Sequence, residues 1–243
     1  MAQPMQRTKE WTNFMNKPKE YNSVSVVICT KNEADNLPHV LPKIPQWVDE
    51  IILVDGNSID STIKVARQLC PRIRVLVQPG KGKGDAIKQG IIEARGDIIV
   101  TLDADGQTNP QEMGELIKPL LNGYDFTKGS RLAKGRPKNM PFHRWLGNSA
   151  IALTCNMLYR TKFTDLCSGY NAFLRKRFLD INPWTKENWG YEPLLIARVL
   201  NHKLKIIEIS HSYSKRINGT SRLPDFKQGL TAILILVRER FLG

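Results

Sequence analysis

Cysteine is scarce, at four residues among 243: Cys29, Cys70, Cys155 and Cys167. They lie far apart with no CxxC pair, which excludes a disulfide scaffold and suits free thiols in a reducing compartment. The four histidines, at 39, 143, 202 and 211, lack zinc-site spacing. No apolar run approaches the roughly 18 residues that a membrane-spanning helix needs. The polar opening of the chain holds no signal-peptide core. A protein neither integral to a membrane nor secreted is therefore expected. Internal repeats, low-complexity tracts and obvious linkers are missing too, so one unit is the simplest reading. Acid is missing locally: residues 126–164 hold eight Lys or Arg and no Asp or Glu.

What is present is ordinary for a globular chain, 41% apolar and 24% charged. The length suffices for a buried core. The balance of 36 Lys+Arg against 23 Asp+Glu gives a formal charge of +13. Such a surface draws anions: nucleotides, phospholipid head groups or nucleic acid. Residues 1–22 read as a polar arm, 23–224 as the folded body, and 225–243 as a C-terminal amphipathic helix.

From Ser23, short β-rich runs alternate with helical patterns. The runs are Val24–Cys29, Ile51–Val54, Ile73–Val77 and Ile98–Leu102. They are almost continuously apolar, as strands buried on both faces of a parallel sheet must be. Ile63, Ala66 and Leu69 repeat at helical spacing, and so do Ile87, Ile91 and Ala94. Asn109–Pro110 reads as an N-cap with Pro at the first helical position. The alternation predicts an α/β fold of doubly wound type, with a mainly parallel central sheet between helical layers. The second half is less regular. Helices are predicted at 145–159, from Trp189 to Val199 and from Asp225 to Phe241, and a strand at Lys205–Ile209. In the last helix Phe226, Leu230, Ile233, Leu234, Val237 and Phe241 share a stripe. It either packs on the body, lies in a membrane interface or binds a membrane partner.

Parallel α/β sheets bind ligands beyond the carboxyl ends of their strands. Here those ends carry Thr30-Lys31-Asn32-Glu33, Asp55-Gly56-Asn57-Ser58, Gly80-Lys81-Gly82-Lys83-Gly84-Asp85 and Asp103-Ala104-Asp105-Gly106-Gln107. In an extended segment Asp103 and Asp105 point the same way. Side-by-side carboxylates repel unless a cation lies between them, and hard divalent ions take oxygen ligands. Gln107 could add an amide oxygen. A solvated acidic turn is the other reading, disfavoured by the position at the end of a buried strand. The Gly/Lys loop fits an anion at a helix start or a flexible basic turn. It matches neither the Walker A nor the dinucleotide fingerprint. Asp55 fits a ribose or base contact, or a turn cap.

Together V-V-I-C-T-K-N-E, I-L-V-D-G-N-S-I-D-S-T, G-K-G-D-A-I-K-Q-G, D-A-D-G-Q and D-L-C-S-G-Y-N-A-F resemble the family 2 inverting glycosyltransferases of GT-A fold. Within them the closest resemblance is to the dolichol/polyprenyl-phosphate sugar transferases, the subgroup of dolichol-phosphate mannose synthase. It spans about residues 23 to 225. It implies a Rossmann-like three-layer GT-A fold and a metal-dependent hexosyltransferase. The donor would be a nucleotide-sugar of GDP-mannose or UDP-glucose type, the acceptor a polyprenyl or dolichyl phosphate. The enzyme would be cytoplasmic and peripheral at the cytoplasmic membrane face, with room for a membrane partner subunit. The implied donor residues are Thr30, Asn32, Glu33, Asp55, Lys83, Gly84, Ala86, Asp103, Arg216 and Arg222. Asp103, Asp105 and Gln107 would hold Mg²⁺ or Mn²⁺. Ser130, Arg131, Arg144 and Ser168 would hold the acceptor, and Asp105, Asp165 and Glu192 are the catalytic candidates. The chain departs from the pattern at Gly56, where many relatives carry a second Asp, and at Arg222, where Lys is usual.

The acceptor decides whether a general base is needed. A hydroxyl needs one, and Asp165 and Glu192 are the candidates, although Glu192 also fits a plain helix-start carboxylate. A lipid monophosphate, with a second pKa near ~6, is already a nucleophile, and the acid-free basic stretch would position it. A soluble family 2 transferase acting on a small-molecule or glycan hydroxyl is the alternative. A nucleic-acid-binding protein would suit the charge, but no helix-turn-helix, RRM-like or zinc pattern appears. A dehydrogenase would need glycines in the first strand–helix turn, and they are missing.

Overall fold

The computed structural model describes residues 23–181, 190–219 and 225–243, with the backbone alone for 225–228. The arm expected over 1–22, Trp189 and Arg222 lie outside the described residues. The strands are β1 (Val24–Thr30), β2 (Glu50–Asp55), β3 (Arg74–Val77), β4 (Ile98–Asp103), β5 (Phe126–Ser130), β6 (Asn171–Leu174) and β7 (Ile206–Ser210). The helices are α1 (Leu37–Val40), α2 (Thr62–Leu69), α3 (Lys83–Glu93), α4 (Met113–Ile117), α5 (Phe142–Tyr159), α6 (Arg175–Asp180), α7 (Tyr191–Asn201) and α8 (Asp225–Leu242).

The seven strands form one sheet in the order β3-β2-β1-β4-β6-β5-β7. All pairings are parallel except those of β6, which runs against β4 and β5. The runs of β1, β2 and β4 have the predicted double burial, whereas β3, at the sheet edge, is only partly covered and leaves Val77 exposed. Val26 and Ile28 pack on one face with Leu37, Val40, Met113 and Leu116. Val27, Ile52 and Ile99 pack on the other with Ile87, Ile91, Ile151, Leu195 and Leu236. Two apolar layers around one sheet make the expected three-layer arrangement. Gly90 lets α3 lie close on the sheet: a Cβ there would fall 2.4 Å from Val27 Cγ1.

Register places the site. Thr30 pairs with Asp55, and Cys29 with Asp103, so three strands end at one edge. Four expectations need adjustment. Asn109 Oδ1 does accept from Gln111 N, but it opens a 3₁₀ turn, Pro110–Glu112, before α4. The helix predicted at 145–159 starts at Phe142. β5 was not foreseen because Phe-Thr-Lys-Gly-Ser is not apolar, yet Lys128 is fully buried in it. β6, four residues long, lies in the irregular half and was likewise missed. The helix from Asp225 is present and its inner side is built into the core through Ala232, Ile235 and Leu236.

Candidate active site

The first wall of the site comes from the ends of β1 and β2. Asp55 is buried and caps its own turn, accepting from Ser58 N at 2.8 Å and Ser58 Oγ at 2.6 Å. Thr30 Oγ1 lies 3.4 Å from Asp55 Oδ1. Asn32, at φ 52°, ties this loop to the next: its Oδ1 accepts from Ile59 N at 2.8 Å. Glu33 accepts from Asn36 Nδ2 at 2.6 Å and meets Arg216 Nη2 at 2.5 Å.

The second wall is the Gly/Lys loop. Gly82, at φ 85°, opens α3, and Gln78 Nε2 donates to its carbonyl at 2.7 Å. Lys83 bridges two carboxylates, Asp103 Oδ1 at 2.7 Å and Glu192 Oε1 at 2.8 Å. Burial disfavours the ammonium, but the two anions outweigh it and hold Lys83 protonated well above the usual lysine range. Gly84 faces the Tyr191 ring, where a Cβ would lie 3.1 Å from Cδ2. Ala86, two residues on, packs its side chain into the core.

Asp103 and Asp105 leave the end of β4 together. Burial raises both. At Asp103 the Lys83 charge and hydrogen bond win, and the carboxyl stays below its usual range. Asp105, next to the Asp103 anion, is pushed up to about 6. Its Oδ1 accepts from Gln107 N at 3.0 Å, and Arg216 Nη1 lies 3.4 Å from Oδ2. Two repelling carboxylates with a nearby amide are hard oxygen donors, and a divalent cation would relieve their repulsion. The residues present therefore fit Mg²⁺ or Mn²⁺. Among the described residues no three His, Cys, Asp or Glu side chains form a metal-holding group. An ion here would rest on two carboxylates, an amide and substrate oxygens.

A strap after β7 crosses this edge. Ser214 N donates to Gln107 O at 2.9 Å, Gln107 Nε2 to Tyr213 Oη at 2.8 Å, and Asn218 N to Asn36 Oδ1 at 3.0 Å. Arg216 sits in the strap, between Glu33 and Asp105.

The third wall is the Asp165–Tyr170 turn. Asp165 is fully buried. It accepts from Arg131 Nε (2.6 Å), Nη2 (2.9 Å) and N (3.1 Å), and from Cys167 N (2.9 Å). Four donors fill the acceptor positions of a carboxylate. Burial opposes its charge, yet the Arg131 cation and hydrogen bonds, with Lys128, hold it well below the carboxylate range. Ser130 Oγ is likewise engaged, with Thr164 Oγ1 at 2.7 Å and the amides of Leu132 and Ala133. Ser168 Oγ meets His211 Nε2 at 3.0 Å. Both serine hydroxyls bond within the protein's own turns. Arg144 stands half-buried in the first turn of α5.

Sequence reasoning missed three residues. Lys128, whose pKa burial depresses, donates to Ser168 O. Glu208 accepts from Thr164 N and Asp165 N at 2.9 and 3.0 Å. His211 Nδ1 donates to Ser212 O at 2.7 Å, which leaves Nε2 to accept from Ser168. Lys128 and Glu208 lie in sheet strands, where a charged residue looks like an interruption of the pattern. Burial pushes the Cys29 and Cys167 thiols up to about 12, which disfavours the thiolate at both.

Residues 25–181 match the family described as Glycosyl transferase family 2. The chain is a family 2 glycosyltransferase. This transferase is 32% identical over 213 residues to the dolichyl-phosphate hexose transferase of Haloferax volcanii, covering 86% of this chain and 90% of that protein. It is 32% identical over 213 residues to the dolichol-phosphate mannosyltransferase of Pyrococcus furiosus, covering 82% of this chain and 59% of that one. Among solved structures, glucosyl-3-phosphoglycerate synthase of Mycobacterium tuberculosis, in complex with Mn²⁺, UDP and glucosyl-3-phosphoglycerate, superposes with a TM-score of 0.71 at 22% identity. That match covers 89% of this chain and 79% of the other, and it shows the shared GT-A-like fold. The transferase is thus close to the polyprenyl-phosphate sugar transferases, as its motifs imply.

Proposed function

We propose that the enzyme moves a hexose, with inversion, from a nucleotide-sugar of GDP-mannose or UDP-glucose type to a polyprenyl or dolichyl phosphate. The work would take place at the cytoplasmic face of a membrane. The observation that carries the acceptor is the state of Asp165. All four of its acceptor positions are filled by protein donors, so it has none left for a substrate proton. Glu192 is held by Lys83. A site with its acids so engaged suits a nucleophile that needs no base, and a phosphate monoester is one. The names of the two relatives above support the same acceptor class.

In this reading a phosphate oxygen of the lipid forms the new bond to the anomeric carbon. The bond to the nucleoside diphosphate breaks, the electron pair leaves with that group, and no proton moves. Asp103 and Asp105, with Gln107, would hold Mg²⁺ or Mn²⁺, which when bound neutralises charge growing on the departing diphosphate. Lys83 orients Asp103 and Glu192 and keeps a fixed positive charge beside them. Arg216 stands within reach of the same edge to meet diphosphate oxygens. Arg222 would add to it, but it lies outside the described residues. Asp165 acts here as a clamp that aims the Arg131 guanidinium and orders the turn between donor and acceptor sides. Among the described residues no helix is long and apolar enough to cross a membrane. The reading therefore puts the protein at the membrane surface and leaves room for a partner subunit within it.

The test is product formation from a panel of nucleotide-sugars with Mg²⁺ or Mn²⁺, with and without detergent-dispersed polyprenyl phosphate. An Asp105→Ala control runs beside it. Lipid-linked sugar that requires metal, lipid phosphate and Asp105 is the expected result. Metal-dependent donor hydrolysis indifferent to lipid phosphate would overturn the acceptor and move the search to hydroxyls.

A further inference from the structure

Tyr213 joins two groups that serve different substrates in the proposed function, Gln107 beside the paired carboxylates and Arg131 on the acceptor side. Its hydroxyl accepts from Gln107 Nε2 at 2.8 Å. Its ring lies beneath the Arg131 guanidinium, with Cζ 5.8 Å from the ring centroid. The backbone on either side of it is tied down. Ser212 N donates to Glu112 Oε2 at 2.8 Å, and Ser214 N to Gln107 O at 2.9 Å. Just before them, His211 N donates to Ser130 O at 2.9 Å, next to Arg131. All these anchors come from the protein itself, so the tyrosine is held in a preorganised position.

The hydroxyl decides which end of the Gln107 amide is left over. Three of the four polar groups of this residue are committed. Its N donates to Asp105 Oδ1 at 3.0 Å, its O accepts from Ser214 N, and its Nε2 donates to Tyr213. A side-chain amide offers an oxygen or an N–H pair, and only the oxygen ligates a hard cation. By taking the N–H end, Tyr213 reserves Oε1 for an ion at the carboxylate pair.

The ring does a second job. Asp165 binds Arg131 through Nε and Nη2, along one edge of the planar guanidinium. Nη1 is then the nitrogen left to meet an anion. A carboxylate at the edge fixes the group within its plane, whereas an aromatic face against it fixes the plane itself. Tyr213 supplies that face.

We propose that Tyr213 is a positioning residue for both substrates: its hydroxyl presents the Gln107 oxygen to the divalent cation of the donor, and its ring holds the Arg131 plane for the acceptor phosphate. This deepens the proposed function and rests on it. The strap thereby acts on the acceptor side as well as on the donor edge, through a residue that precedes Arg216 by three positions.

The test uses the full chain with two variants. Tyr213→Phe keeps the ring and deletes the hydroxyl, and Tyr213→Leu deletes both. The side chain is half-buried and belongs to neither core cluster, so both variants should keep the wild-type Tm. Mn²⁺ binding is read by electron paramagnetic resonance with UDP and with GDP. Acceptor KM is read with detergent-dispersed polyprenyl phosphate and the nucleotide-sugar panel at saturating metal. Tyr213→Phe should weaken Mn²⁺ binding about tenfold, as loss of a partner behind a metal ligand does, and leave acceptor KM unchanged. Tyr213→Leu should weaken Mn²⁺ binding as much and also raise acceptor KM about threefold to tenfold. Wild-type Mn²⁺ affinity in Tyr213→Phe would overturn the role of the hydroxyl. An acceptor KM no higher in Tyr213→Leu than in Tyr213→Phe would overturn that of the ring. A fall in kcat in both variants with metal affinity and KM unmoved would overturn both. A wild type that makes no lipid-linked sugar, yet binds Mn²⁺ tenfold more tightly than Tyr213→Phe, would instead sink the acceptor reading and the role of the ring, and leave that of the hydroxyl standing.

Discussion

Replacing Asp165 by Asn separates a clamp from a base. The substitution keeps shape and removes charge. The carboxylate is fully buried, and the Arg131 side chain keeps 14% of its exposure. Asp165 accepts from three Arg131 donors and from Cys167 N. The amide group of Asn would place an N–H against one of those donors and leave the guanidinium uncompensated. Removing one partner of a buried ion pair costs about 3–5 kcal/mol. For a domain of this size each kcal/mol lowers Tm by about 2–4 °C, so a fall of roughly 6–20 °C is expected. Thermal unfolding by circular dichroism, supported by urea denaturation, measures it, and product formation is followed on the same samples. The wild-type contribution holds above the unfolded carboxyl value of 3.8 and is lost only as pH falls toward the much lower folded value. The stability gap between wild type and variant should therefore stay constant from neutral pH down to about 5. A variant with wild-type Tm and abolished turnover would refute the reasoning, because Asp165 would then act on the substrate.

Two further outcomes follow from neighbouring contacts. Burial, helped by the Arg131 and Lys128 charges, holds the His211 pKa below its ordinary 6.5. The unfolded chain then binds this proton first, so wild type should lose stability relative to His211→Gln as pH falls below 6.5, by at most about 1.4 kcal/mol per unit. Asp105, raised to about 6, works in the opposite sense in both proteins, which is why the difference in urea midpoints, not either curve alone, is the readout. At Gly169 a Cβ would fall 2.5 Å from both Asp103 Oδ2 and Lys83 Nζ. Gly169→Ala should cost about 1–3 kcal/mol, seen by calorimetry as weaker nucleotide-sugar binding. Unchanged donor affinity would show that the Lys83 end swings aside.

The left half of the sheet was readable from sequence because burial on both faces demands unbroken apolar runs, and β1, β2 and β4 supply them. Their ends mark the candidate site directly: Asp55 and Asp103 fall where the parallel register puts them, with Asp105 just beyond. The right half was not readable for the converse reason. Lys128 and Glu208 are strand residues whose charged groups bond to segments far along the chain, Ser168 for one and Thr164–Asp165 for the other. No local pattern announces such a bargain. Motif resemblance pointed to Ser130, Arg131 and Ser168 for the acceptor and to Asp165 for catalysis, but not to the pairing of Arg131 with Asp165. That pairing depends on how the turn after residue 164 folds back onto β5.

Strand order also bears on synthesis. β3, β2, β1 and β4 pair only among themselves until β6 arrives, so this parallel quartet can close while the chain is still emerging. β5 is made before β6 but pairs only with β6 and β7. It must wait unpaired for more than forty residues, the distance from Ser130 to Asn171, before it has a neighbour. The edge of β4 that leads to Asp103 stays open for longer still, from Asp103 to Asn171. A ribosome-bound chain stopped short of residue 171 should thus display the paired ends of β1, β2 and β4 without Glu192 or the Arg216 strap, and pauses within 131–170 would prolong the stage most exposed to intermolecular strand pairing.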